Sequence, residues 1–368
     1  MKRFFFSTGE ASGELVATML AAEIARLAPA STFCGIGGER MLKAGFRLRW
    51  NTRGWSSIGP VAALSRIPKL GAILLATAWE LWRDAPDLIV LVDFGAFNLR
   101  LARLLRRFGY TGPVLYFFPP GAWLDNAYQA RAVARTTIPL TPFAHQFDFY
   151  RSRGLGAQYF GHPLLSAYTM RPAPSAPASD GGIVAVFPGS RRAELRFHFP
   201  VLLEAMHRLR ETRGRARFII AAADADAGRF IDRMLAHSNP PPLTVVNSAQ
   251  EALATADAAW IASGTAVLEA ALCGVPAISL YILPRATARV ARNVYRRPYV
   301  TIPNLVLHRA VIPEFLQEAA TAENLRAAMD TVLKDPRAQF SQVQELRAAL
   351  GPADALSKCA AFARSLAE

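Results

Sequence analysis

The chain alternates apolar, strand-like runs with amphipathic helical ones, stops once, and then begins the alternation again. This interrupted pattern restricts the available folds more than any other feature. FFFS, LVATMLAAEIARL, STFCGIGG, DLIVLVDFG, LRLARLLRRF and PVLYFFP read as strand, helix, strand, strand, helix, strand. Strands that are apolar along their whole length are covered on both faces, which implies a parallel sheet between helical layers. At MRPAPSAPASDGG, Pro, Ala and Ser replace the periodic pattern and read as a linker. The alternation resumes with GIVAVFPGS, ARFIIAAAD, LTVVN, AAWIASG and VPAISLYIL. The expected class is α/β, with two Rossmann-like doubly wound domains, 1–170 and 183–340, facing a cleft at the carboxyl ends of their strands. Residues 171–182 form the expected linker, and 341–368 a C-terminal helix that packs back on the first domain.

A chain of 368 residues exceeds what one ordinary core supports, in keeping with two domains. Its 42 Lys and Arg against 28 Asp and Glu leave a net charge of +14, which favours an anionic partner: nucleic acid, phospholipid headgroups or a phosphorylated substrate. No RNP-like, zinc-finger or basic-aromatic module supports nucleic acid. Cys34, Cys273 and Cys359 are too scattered for a disulfide framework or a zinc cluster and agree with a reducing cytoplasm. Lys2-Arg3 and three phenylalanines imitate a signal peptide, but Glu10 and Glu14 interrupt the apolar run.

Residues 54–82 are the most membrane-like stretch, yet Arg66, Lys69 and Glu80 cut it below the roughly 20 residues that span a bilayer. Leu64, Ile67, Leu70, Ile73, Leu74 and Trp82, with Arg66, Lys69 and Arg83 as anchors, are expected to form a monotopic membrane patch; an ordinary core helix is the competing reading. Arg285, Arg289, Arg292 and Arg296 align on one helix face, suited to anionic headgroups or an acceptor phosphate.

The first half carries STGEASGE where a nucleotide-binding protein would place a phosphate loop. Glu10 and Glu14 argue against a diphosphate there, since like charges at about 4 Å cost roughly 4 kcal/mol at an effective dielectric near 20. The second half is better suited. In VFPGSRRAEL the turn Pro188-Gly189-Ser190 is expected to leave backbone amides free, with Arg191 and Arg192 as further phosphate donors. In ASGTAVLEAALCGVP, Ser263-Gly264-Thr265 opens a helix toward a second phosphate oxygen, and Glu269 lies one turn on, placed for a ribose diol. Either motif alone is an ordinary turn or N-cap; both at strand ends of one half point to a nucleotide diphosphate.

Asp93 ends DLIVLVD, where a doubly wound sheet presents functional groups. A strand-end turn residue is the alternative. Asp224 to Asp226 reads as a solvated turn. His162 fits either a cleft role or a structural one, and His145, His198, His207, His237 and His308 show no metal spacing, so no metal site is expected.

GEASGE (9–14), GIGGERM (35–41), LVDFGAFNLRLAR (91–103), FGHPL (160–164), PGSRRAE (188–194), SGTAVLEAAL (263–272) and YVTIPNLVLHRAVIPE (299–314) together resemble the ordered motifs of the lipid-A-disaccharide synthases, inverting glycosyltransferases of the two-Rossmann type. The resemblance implies transfer of 2,3-diacylglucosamine from its UDP derivative to 2,3-diacylglucosamine 1-phosphate. The product is a β-1,6 disaccharide made at the cytoplasmic membrane face by a peripheral protein, without metal or other cofactor. It implies Asp93 as base and Arg191 as the group that neutralises the leaving UDP. Gly189, Ser190, Arg191, Ser263, Gly264, Thr265, Glu269, Asn304 and Arg309 would surround the nucleotide sugar. Gly9, Glu10, Ser12, Gly13, Glu14 and Trp123 would surround the acceptor. Gly95-Ala96 stands for a Pro-Asp pair, Asp125 and Asn126 for a Trp and an Arg, and Ala144 for a Glu, all in the acceptor half. These departures keep three alternatives open: another glycolipid acceptor, a UDP-N-acetylglucosamine 2-epimerase, and an inactive UDP-sugar-binding paralogue. A homodimer is also left open.

Overall fold

The structure, a computed structural model, describes the chain apart from residues 54, 56–59, 121–125, 174–180, 286, 290–294 and 296, and apart from the side chains of 60–67. Strands β1 (Arg3–Ser7), β2 (Thr32–Gly37), β3 (Arg47–Asn51), β4 (Leu88–Val92), β5 (Val114–Phe117), β6 (Ile138–Thr141) and β7 (Gln158–Tyr159) form one sheet in the order β3-β2-β1-β4-β5-β6-β7. Strands β8 (Ile183–Phe187), β9 (Arg217–Ala221), β10 (Leu243–Val246), β11 (Ala258–Ala262), β12 (Ala277–Tyr281) and β13 (Glu314–Leu316) form a second, ordered β10-β9-β8-β11-β12-β13. All pairings among the described residues are parallel. The strand order of both sheets is that of a doubly wound Rossmann-like fold, as the alternation implies.

In such sheets the strand order reverses at one point, and the loops leaving the carboxyl ends on either side of it splay apart into a crevice. In the first sheet that point falls between β1 and β4, so Thr8 to Glu14 and Asp93 flank it. In the second it falls between β8 and β11, so Pro188 to Arg192 and Ser263 to Thr265 flank it. Both positions follow from topology alone.

The chain forms two compact units, Met1–Ala167 with Leu350–Glu368, and Tyr168–Ala349. This corrects two expected boundaries. Residues 168–173 already dress the second unit: the Tyr168 hydroxyl donates to Glu269, and the Arg171 amide to the Cys273 carbonyl at 3.1 Å. The C-terminal segment is not one helix. Helix Arg337–Ala349 stays in the second unit, Gly351 turns the chain with φ 101°, and only helix Ala355–Leu366 packs on helix Ala11–Leu27 of the first.

Each unit has its own core. In the first, Phe5, Leu91, Tyr116 and Leu101 are sealed between the sheet and its helices. In the second, Trp260 is fully buried, stacks on Phe218 with ring centroids 6.2 Å apart, and donates its indole N–H to the Leu325 carbonyl at 3.2 Å. Truncating such a residue costs about 3–5 kcal/mol. Cys273 and Cys359 are buried thiols whose pKa burial pushes up to about 11 and about 12, inert packing groups like the half-buried Cys34.

Candidate active site

In the first unit, Asp93 is exposed at the carboxyl end of β4, and its backbone is left-handed with φ 46°. Phe94 follows it there with φ 51°. Two successive non-glycine residues in this region store on the order of 1–3 kcal/mol each and persist only where their surroundings impose the geometry. The surroundings here are explicit. The Asp93 amide donates to the Phe117 carbonyl at 3.0 Å, and the Asp93 carbonyl accepts from the Tyr116 hydroxyl and from Asn98 Nδ2, both at 2.9 Å. Burial pushes the Tyr116 phenol well above its ordinary pKa, with the Asp93 charge adding to it, so Tyr116 remains a donor.

Gly9 supplies the remaining constraint. A Cβ there would lie 2.2 Å from the Phe94 ring, which in turn stacks on Phe97 at 5.4 Å. Gly9 therefore leaves the space that the Phe94 ring occupies beside Asp93. Gly13 is buried beside Thr8 and Val92, while Ser12 and Glu10 are half-buried at the helix start. Trp123 lies outside the described residues.

Glu14 is corrected. Its carboxylate is 8% exposed and accepts from the amide of Arg40 at 3.1 Å, with further amide bonds from Met41 and Gly38, so it caps the short helix Glu39–Lys43. Burial raises its pKa by more than these bonds lower it. It joins GEASGE to GIGGERM and presents no carboxylate to a sugar. His162 is likewise structural: it is fully buried between Phe118 and Phe143, and its Nδ1 accepts from the Leu164 amide at 3.3 Å.

In the second unit the turn after β8 departs from expectation. The amides of Ser190 and Arg191 are not free, because Glu194 Oε2 accepts from both, at 2.9 and 3.1 Å. Gly189 is left-handed with φ 117°, and a Cβ on it would meet the Glu194 side chain at 2.7 Å, so only glycine fits. The Arg191 guanidinium lies 3.6 Å from Glu194 Oε1 with 41% of its side chain exposed. The helix Thr265–Cys273, by contrast, starts at Gly264 without a side-chain cap, between the half-buried Ser263 and Thr265. A helix start without a side-chain cap leaves its first amides as hydrogen-bond donors. Glu269 is buried and receives the Tyr168 hydroxyl.

Asn304 is also corrected. It is fully buried, with Nδ2 donating to the Ile312 carbonyl and to Glu314 Oε1 and Oδ1 accepting from the amides of Val311 and Ile312, all at 2.8 Å. Every polar valence is spent inside the fold. Glu314 also accepts from the Val300 and Thr301 amides and the Thr301 hydroxyl, so the pair knots segment 300–314. Arg309 forms an exposed ion pair with Glu345 at 2.5 Å.

Sequence reasoning missed Asn98, His198, Glu194 and Tyr281. Glu194 and His198 stand one helical turn apart beside the glycine turn, a spacing that puts them on one face and was the available signal. Asp224, read as a turn residue, caps helix Ala225–Leu235 by accepting from the Ala227 amide at 2.7 Å.

Solved structures define the class. The fold matches the S. aureus MnaA–UDP co-structure with a TM-score of 0.65 at 12% identity, covering 97% of this chain and 94% of that one. It matches the spinosyn forosaminyltransferase SpnP with 0.59 at 15%, covering 100% of both. These likenesses show the fold alone: the GT-B fold, shared by glycosyltransferases and UDP-sugar epimerases. The family is narrower. The lipid-A-disaccharide synthetase profile matches residues 4–361, and the chain belongs to that family. Lipid-A-disaccharide synthases of Geobacter sulfurreducens and Azotobacter vinelandii are 32% and 34% identical to it, over 93% and 89% of this chain and 92% and 88% of theirs. The chain is a glycosyltransferase, and the epimerase alternative is not favoured.

Proposed function

We propose that this protein joins UDP-2,3-diacylglucosamine to 2,3-diacylglucosamine 1-phosphate, with Asp93 as the base. The acceptor 6-hydroxyl oxygen attacks the anomeric carbon, the bond from that carbon to the UDP oxygen breaks with its electron pair leaving on UDP, and the hydroxyl proton passes to the Asp93 carboxylate. One displacement inverts the anomeric centre and gives a β linkage. Arg191 and Arg192 with the open start of helix Thr265–Cys273 neutralise the departing diphosphate, an electrostatic contribution on the order of a hundredfold in rate. The observation that carries this reading is Asp93 itself: an acid exposed at the switch point of its sheet, held left-handed by Asn98 and Tyr116.

The test is UDP release by the purified protein in detergent, with the donor, with and without the acceptor phosphate, alongside Asp93→Ala. Acceptor-dependent release, a disaccharide 1-phosphate by mass and loss of both in the variant are expected. UDP binding without disaccharide from the unaltered protein overturns the acceptor assignment.

The membrane is the proposed source of the lipid substrates, and helix Pro60–Asp84 the proposed contact. Among the described residues its exposed large side chains are Leu75, Trp79 and Trp82, at 55%, 54% and 42%, with the two indoles 5.1 Å apart. The expected patch shifts accordingly: Ile73 is core, Leu70 and Leu74 are half-buried, and the side chains of Leu64, Arg66 and Ile67 lie outside the described residues. Exposed tryptophans on a helix that also carries Lys69 and Arg83 are the composition of an interfacial helix. No described helix is long and apolar enough to cross a membrane. Of the arginine face at 285–296, Arg292 and Arg296 lie outside the described residues.

A further inference from the structure

Glu194 and His198 together connect two loops that the reaction does not otherwise link. Glu194 Oε2 holds the Ser190 and Arg191 amides, and Glu194 Oε1 accepts from the Tyr281 hydroxyl at 3.1 Å at the end of β12. One turn further along the helix, His198 is fully buried with its ring 5.2 Å from that of Tyr281. Its Nδ1 is 3.0 Å from the Pro188 carbonyl and its Nε2 is 3.0 Å from the Ile282 amide. A carbonyl only accepts and an amide N–H only donates, so the ring is the neutral tautomer with its proton on Nδ1. Burial lowers its pKa in the same sense. The turn after β8 and the segment after β12 are thus tied at both of their approaches.

We propose that Glu194, His198 and Tyr281 form a positioning brace for the diphosphate of UDP, acting through the backbone without touching the ligand. The brace takes up the amides of Ser190 and Arg191, so this turn meets a diphosphate with the guanidinium groups of Arg191 and Arg192. It also fixes where those groups start. The uridine end of the ligand owes nothing to the brace. This inference rests on the reading of the second unit as the UDP-sugar site.

The experiment compares UDP, by calorimetry, with uridine, by ligand-observed NMR, on His198→Leu and His198→Gln. Leucine keeps bulk but leaves the Pro188 carbonyl and the Ile282 amide unsatisfied, whereas a glutamine amide offers one donor and one acceptor at similar spacing. UDP affinity is expected to fall about tenfold or more in His198→Leu, with uridine affinity within about threefold of the original, and His198→Gln is expected to restore UDP binding. A merely structural histidine would weaken both ligands alike, and that result, or unchanged UDP affinity, overturns the proposal. Should His198→Leu fail to fold, Tyr281→Phe removes one hydroxyl from Glu194: a drop of about threefold for UDP alone supports the brace, and no drop overturns it. Unaltered protein that binds no UDP defeats the donor reading itself, and the brace with it.

Discussion

Asn98 donates its side-chain amide to the Asp93 carbonyl at 2.9 Å while its own Oδ1 receives the Ser7 hydroxyl at 2.6 Å. One buried amide therefore ties the ends of β1 and β4 together across the switch point. The same Nδ2 also reaches the carbonyls of Ser7 at 3.1 Å and Val92 at 3.3 Å. Replacing Asn98 by Leu strands these buried acceptors and releases Asp93. A loss of about 2–3 kcal/mol in denaturant unfolding and a fall in kcat exceeding that in UDP affinity are expected.

At Asp93 the backbone and the carboxylate can be tested separately. Asp93→Ala and Asp93→Gly both remove the proposed base, with an expected fall in kcat of about 10²–10⁴. Glycine tolerates φ 46° where alanine does not, so the glycine variant should unfold about 1 kcal/mol later than the alanine variant. Equal stabilities would argue against the strained conformation.

Glu14→Ala is a test of capping against acceptor binding. Loss of the cap on helix Glu39–Lys43 should cost about 1–2 kcal/mol of stability while leaving KM for the acceptor nearly unchanged. A large rise in acceptor KM at unchanged stability would restore the sugar-binding role that the sequence suggested.

His162 gives the first unit a pH dependence of fixed sign. Burial lowers its pKa to about 3, against the ordinary value of 6.5 in the unfolded chain. Between these values the unfolded state binds the proton and the folded state does not, so stability falls as pH falls, with a limiting slope of about 1.4 kcal/mol per pH unit. The contribution is complete above pH 6.5. His162→Gln should flatten the stability profile between pH 6 and pH 4 by roughly that slope, measured by urea unfolding at each pH.

The indole pair on helix Pro60–Asp84 predicts a surface property. Trp79→Ser with Trp82→Ser should reduce co-flotation with phosphatidylglycerol vesicles severalfold and leave the melting temperature within about 2 °C, since both side chains are exposed in the free protein.

The two central sheets were legible because their strands are apolar throughout, as in LIVLV and AAWIA. Strands β3, β6, β7 and β13 were not. Arg47–Asn51 alternates exposed and half-buried residues at a sheet edge, and the other three have four residues or fewer. The site was read in part. The position of Asp93 was legible because it ends a buried strand before a helix. The roles of Glu14, Glu194 and Asn304 were not legible, since a carboxylate or amide in a loop motif looks the same whether it faces a ligand or the backbone amides of a neighbouring turn. Only the folded chain decides which amides come within hydrogen-bonding distance.

Helix Ala355–Leu366 completes the unit that begins at Met1, whereas Tyr168–Ala349 is one uninterrupted stretch. During synthesis, which runs from the amino terminus at about 5–20 residues per second, the unit begun second is thus the first whose sequence is entire. The unit carrying Asp93 must wait for the packing of helix Ala355–Leu366 on helix Ala11–Leu27 until residues 355–366 emerge from the ribosome. The order of completion reverses the order of translation.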